Sequence, residues 1–182
     1  MTRFFVALVP PQEIQDDANE VIQELADHFR TSTSKSPPHV TLQPPFEWPP
    51  DRLPELQAVL ANFASAQSPT PVRLSGFAAF PPRVLYINVV KTPDLLSLQA
   101  ALMQELEQHL EIVDPKSRQR PFAPHMTVAS RNVTRQTFKQ AWEHLRDRPV
   151  EFEFVGDRLT LLIHNGQHWL VHGEFPLSVS SP

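Results

Sequence analysis

The apolar run Phe4 to Val9 stops at the proline pair Pro10-Pro11, the pattern of a short buried strand that ends at its last apolar residue. From Pro11 the period changes. Ile14, Ala18, Val21, Ile22, Leu25 and Phe29 recur at intervals of three and four, which predicts a helix with one apolar face and Pro11 at or near its first turn. Leu53, Leu56, Leu60 and Phe63 predict a second helix. Leu95, Leu98, Leu102, Leu106 and Leu110 predict a third, with Thr92 as its cap and Pro93 in its first turn. Phe138, Ala141, Trp142 and Leu145 give a shorter fourth. Strand signals fall between them at residues 72–77, 84–90, 150–155, 159–163 and 169–175. Asn165-Gly166 divides the last two, predicting a hairpin with a type I′ turn in which His164 faces Gln167, Ile163 faces His168 and Leu159 faces His172.

Helices mixed with antiparallel strands define an α+β fold. A coarse repeat refines it. A proline-flanked segment containing His-x-Thr is followed by a helix and two strands, once over residues 37–90 and again over 124–163. This predicts two pseudo-twofold-related lobes of antiparallel strands, with helices packed outside and a cleft between. No linker divides the chain, so residues 1–182 read as a single bilobal domain.

Composition narrows the function. The chain has 182 residues and no cysteine, so disulfides, thiolate metal sites and a cysteine nucleophile are excluded. A formal net charge of −4 argues against wrapping a long nucleic-acid duplex, which requires many basic side chains. No membrane-length apolar stretch or secretory signal pattern is seen, which predicts a cytoplasmic protein with no membrane partner. The 20 prolines sit mostly in pairs between the patterned segments and read as punctuation. With four glycines, neither a phosphate-binding P-loop nor a dinucleotide fingerprint can form.

Two tetrapeptides carry the candidate chemistry: His39-Val40-Thr41-Leu42 after Pro37-Pro38, and His125-Met126-Thr127-Val128 after Pro121-Phe122-Ala123-Pro124. In a strand, residues two apart share a face, so His39 projects with Thr41 and His125 with Thr127, while the aliphatic residues turn to the core. Two facing lobes would bring two imidazoles and two hydroxyls to one cleft. That set suits phosphodiester chemistry: one imidazole takes a proton, the other gives one, and the hydroxyls donate to the non-bridging oxygens. Neither a metal nor another cofactor is needed. Near-normal imidazole pKa values would give a bell-shaped pH profile straddling neutrality. His164, His168 and His172 do not form a zinc site in the predicted hairpin register, which places His164 on the opposite face from the other two.

These motifs, with the N-terminal strand Arg3-Phe4-Phe5-Val6-Ala7-Leu8 and the segment FAAFPPRVLYINV, resemble the two-histidine (2H) phosphoesterases. That family includes bacterial 2′-5′ RNA ligase-like proteins and RNA 2′,3′-cyclic phosphodiesterases. The resemblance implies a bilobal α+β fold, His39 and His125 as the catalytic pair, and Thr41 and Thr127 as phosphate-binding residues. It also implies a nucleotide or RNA end with a 2′,3′-cyclic phosphate as partner, from which O3′ leaves. Ala123 stands where RNA-ligase-like members commonly carry an arginine. Arg131, one residue later than the usual position of a second arginine, is the remaining candidate for phosphate contact. Phe46 and Trp48, just after the first motif, are candidates for stacking on a base. Two functions follow: a metal-independent cyclic phosphodiesterase with possible reverse ligation, or a module that binds a nucleotide or RNA end in the same cleft without turnover.

Overall fold

The structure, a computed structural model, describes residues 1–178. Its elements are β1 (Thr2–Leu8), α1 (Gln12–Phe29), β2 (Val40–Trp48), α2 (Leu53–Ser65), β3 (Thr70–Phe80), β4 (Val84–Val89), α3 (Pro93–Leu110), β5 (His125–Ala129), α4 (Arg135–Leu145), β6 (Glu151–Gly156), β7 (Arg158–His164) and β8 (Trp169–Pro176). The strands form two four-stranded antiparallel sheets, ordered β2-β1-β7-β8 and β5-β4-β3-β6. All four predicted helices are present. Thr92 caps α3 by accepting a hydrogen bond from the Leu95 amide at 3.3 Å, with Pro93 as its first residue.

One apolar core runs through both sheets and the helices that cover them. α1 and α4 pack together, α1 against β5 and α4 against β4; α2 and α3 also pair, α2 lying on β7 and β8 and α3 against β2 and β3. The unbroken Phe4–Val9 run is explained by β1, a central strand that is buried on both faces. Phe4, Val6 and Leu8 enter the main core, whereas Phe5 and Ala7 join Leu162 and Trp169 in a separate cluster on the other face.

Three sequence expectations require correction. The repeating unit is strand, helix, edge strand: β1-α1-β2 in one sheet and β4-α3-β5 in the other. Residues 37–90 therefore do not build one lobe, because β3 and β4 cross into the second sheet. The first motif strand also extends through Pro44-Pro45 to Trp48. As an edge strand, β2 tolerates residues without an N–H, and its register against β1 shifts between Phe4↔Phe46 and Val6↔Gln43, where the two prolines lie. Finally, the β7–β8 connection contains residues 165–168, and His164 faces Trp169, Ile163 faces Leu170 and Leu159 faces Phe175. The Asn165 side chain accepts from the Gln167 and His168 amides, an Asx-type turn that outcompetes the two-residue type I′ turn.

Candidate active site

Both His-x-Thr motifs lie on edge strands, and those two edges approach each other. His39 immediately precedes β2 and His125 opens β5. Val40, Leu42, Met126 and Val128 are buried at 0–1% exposure, locking the alternation that sends His39, Thr41, His125 and Thr127 to the opposite, half-buried side. Thr41 pairs with Ala7 of β1, while Thr127 pairs with Tyr86 and His125 with Asn88 of β4.

The two histidines are held alike. Nδ1 of His39 donates to the Pro37 carbonyl at 2.7 Å, and Nδ1 of His125 donates to the Ala123 carbonyl at 2.8 Å. A carbonyl only accepts, so each neutral ring carries its proton on Nδ1 and keeps Nε2 as the free base. The proline-flanked lead-in to each motif positions that carbonyl two residues upstream. Aromatic neighbours fix the rings further. His39 lies 4.7 Å from Phe5, and His125 lies 5.1 Å from Phe80 and 5.2 Å from Tyr86, measured between ring centroids. Burial pushes the His39 pKa down to about 4, opposed by the Pro37 hydrogen bond and reinforced by the charge on His125. Burial also lowers the His125 pKa, opposed by its bond to Ala123.

Two cavities adjoin at Thr41. One, of about 330 Å³, is lined by His39, Thr41, Thr127, Arg131, Arg3 and Trp169; the other, of about 340 Å³, includes Thr41, His125, Gln99, Lys116, Arg120 and Phe122. Arg131 joins this site although β5 ends at Ala129. Its backbone forms a two-way bridge with Ser32, at 2.9 and 3.0 Å, which ties the chain after β5 to the loop before β2. That loop is fastened to the other sheet as well, the Trp169 amide donating to the Lys35 carbonyl at 3.1 Å.

Phe46 and Trp48 are placed elsewhere, which corrects the stacking expectation. Trp48 is buried, donates its indole N–H to the Arg52 carbonyl at 2.8 Å and lies under the Arg52 guanidinium; Phe46 packs on Phe4. The proline-rich bulge folds these rings onto the core, and neither lines either cavity around the motifs. Conversely, Arg3 and Trp169 were not singled out from sequence as functional, yet both line the first cavity, and His164 contacts them both. The available signal was parity: Arg3 shares the cleft-facing side of β1 with Phe5 and Ala7. Among the described residues, no group of three or more His, Asp or Glu side chains comes together in a metal-holding arrangement.

Comparison with known proteins places this geometry in a family. The model of the 2′-5′ RNA ligase superfamily matches residues 10–168, and the chain belongs to that superfamily. A provisionally named phosphoesterase of Geobacillus sp. strain WCH70 is 30% identical over 177 residues, covering 95% of both chains. One from Bacillus cereus strain B4264 is 30% identical over 176 residues, covering 94% of this chain and 95% of its own. The fold matches that of a Thermus thermophilus protein (TM-score 0.69, 24% identity, covering 97% of this chain and 98% of the other). It also matches E. coli LigT in its apo form (TM-score 0.64, 20% identity, 98% of each chain), a protein also solved with NADP+, 3′-AMP and phosphate. No helix among the described residues is long and apolar enough to cross a membrane.

Proposed function

We propose that this protein is a metal-independent phosphoesterase that opens 2′,3′-cyclic phosphate ends of RNA or nucleotides. The observation that carries the reading is the matched presentation of His39 and His125 from facing edge strands, each with Nδ1 committed to a backbone carbonyl. In-line displacement needs a base on one side of phosphorus and an acid on the other, which two motifs across a pseudo-dyad supply. Nε2 of one ring takes the proton of the attacking water as the new P–O bond forms. The P–O3′ bond breaks, Nε2–H of the other ring protonates O3′, and a 2′-phosphomonoester remains. Thr41, Thr127 and Arg131 hold the non-bridging oxygens as charge grows on them. If a 5′-hydroxyl replaces the attacking water, the same base takes its proton, the P–O5′ bond forms as P–O3′ breaks, the same acid protonates O3′, and a 2′-5′ phosphodiester is the product.

The base and acid are assigned by burial. His39, with its pKa near 4, is neutral through almost the whole working range and acts as base. Burial lowers the His125 pKa too, and as the ring across the phosphate from the base it is the one that the bound phosphate's negative charge re-protonates, so it acts as acid. Phosphorus NMR of a 2′,3′-cyclic nucleotide incubated with the protein in EDTA tests the reading. Conversion to the 2′-phosphate is expected. A 3′-phosphate as main product overturns the orientation, activity lost in EDTA and restored by a divalent ion overturns the metal-free mechanism, and binding without turnover favours the non-catalytic module.

Thr41→Ala and Thr127→Ala each delete one charge-assisted hydrogen bond while leaving both proton-transfer groups in place. Each is expected to lower kcat/KM by about tenfold to a hundredfold, less than loss of either histidine. Equal losses for the threonine and histidine variants in steady-state kinetics would contradict this division of roles.

A further inference from the structure

The first cavity contains a charge, on Arg3, that the hydrolytic reaction does not use. Six arginines, Arg52, Arg73, Arg118, Arg146, Arg148 and Arg158, have carboxylate partners. Among the described residues Arg3 has none; its guanidinium instead donates to Nδ1 of His164 at 2.9 Å and lies 5.6 Å from the centre of the Trp169 ring. His164 is itself packed edge-on against Trp169, with ring centroids 4.8 Å apart. Arg131, also without a carboxylate partner, lines the same cavity. His164 must accept from Arg3, so its ring stays neutral and cannot neutralise the guanidinium. Partial burial and the positive charges of Arg3 and Arg131 all hold its pKa down. With Arg131 assigned to the reacting phosphate, Arg3 is left in the same concave space without a counter-charge of its own, an arrangement that a second anion stabilises.

The spacing indicates which anion. Arg3 and Ala7 share the cleft-facing side of β1, and Ala7 pairs with Thr41 at the reacting centre. Four residues of strand place their Cα atoms roughly 13 Å apart, and the contacts with His164 and Trp169 turn the Arg3 guanidinium toward β7 and β8, so that it stands apart from the reacting centre. We infer that Arg3, held by His164 and Trp169 in the His39 cavity, binds a second phosphate, one nucleoside away from the phosphate that reacts. This rests on the phosphoester reading of the cleft and deepens it: the preferred substrate carries a 5′-phosphate or an internucleotide phosphate on the same nucleotide as the cyclic phosphate.

Calorimetric titration at low salt separates the two readings, because it uses the product-side ligands and needs no turnover. Adenosine 2′,5′-bisphosphate is expected to bind about tenfold more tightly than adenosine 2′-phosphate, and Arg3→Gln should bring that ratio close to one. Arg146→Gln removes one surface charge outside the cleft and should keep the wild-type ratio. A dinucleotide ending in a 2′-phosphate identifies the source: an equal or greater gain points to an internucleotide diester, and no gain points to a free 5′-phosphate. Equal binding of mono- and bisphosphate by the wild type, or a ratio unchanged in Arg3→Gln, overturns the second-phosphate subsite while leaving the proposed function standing. Failure of both mono- and bisphosphate to bind overturns the two together.

Discussion

His125→Ala is expected to lower kcat/KM toward a 2′,3′-cyclic nucleotide by about 10²- to 10⁴-fold, yet far less toward a nucleoside 2′-(p-nitrophenyl phosphate). The difference lies in the leaving group. A ribose oxygen expelled as an alkoxide needs a proton as the P–O bond breaks, whereas p-nitrophenolate departs without one. His39→Ala removes the group that takes the proton from water, a need common to both substrates, so its loss should be of similar size on each. Circular dichroism checks that both variants keep the fold; His39 and His125 are half-buried at the cleft rather than in the core, and the strands beside them are anchored by Val40, Leu42, Met126 and Val128. If His39→Ala is the variant rescued by the better leaving group, the acid and base are reversed. If either folded variant keeps wild-type turnover, the two-histidine mechanism is wrong.

The placement of the candidate site residues was legible in sequence because it depends on period-two alternation. His39 with Thr41 and His125 with Thr127 follow from strand geometry alone, and their recurrence after proline distinguished them from isolated surface residues. The four helices were legible for the same kind of reason, each having an apolar stripe at a spacing of three or four. What escaped the sequence was set by tertiary contacts. Trp48 is of a type that stacks on bases, but the bulge at Pro44-Pro45 turns it inward, where its indole N–H donates to the Arg52 carbonyl. The partition of strands between sheets was also hidden, since β3 and β4 follow the first motif in the chain but build the sheet of the second.

Arg131 and Arg3 show the same limit from the other side. Parity beyond the end of β5 gave Arg131 the right face, but its place in the cavity is secured by the Ser32 bridge, a contact about a hundred residues away in sequence that no local pattern encodes. In sequence Arg3 is only the first residue of the N-terminal segment Arg3-Phe4-Phe5-Val6-Ala7-Leu8. The contacts that make it a candidate anion ligand form only when β7 and β8 bring His164 and Trp169 beside it, and this required the hairpin register that the Asn165 side chain shifts from the expected one.

Burial of the His39 and His125 rings also changes the pH behaviour expected from unperturbed histidines. For kcat/KM, which reports the free enzyme, the base must be neutral and the acid protonated. His39 meets its condition above about pH 4, and His125 meets its own only below a pKa already depressed from 6.5. The kcat/KM optimum is therefore expected on the acid side of 6.5, with a roughly tenfold fall per pH unit along the alkaline limb. Because the rings interact, the two limbs report the pair rather than either residue. A bound phosphate's negative charge favours the imidazolium, so the alkaline limb of kcat should lie at higher pH than that of kcat/KM. The two profiles, measured on one cyclic nucleotide at constant ionic strength, check both statements. A kcat/KM maximum above pH 7, or alkaline limbs that coincide, would mean that the charge needed for protonating O3′ is already present on the free protein and that the substrate does not supply it.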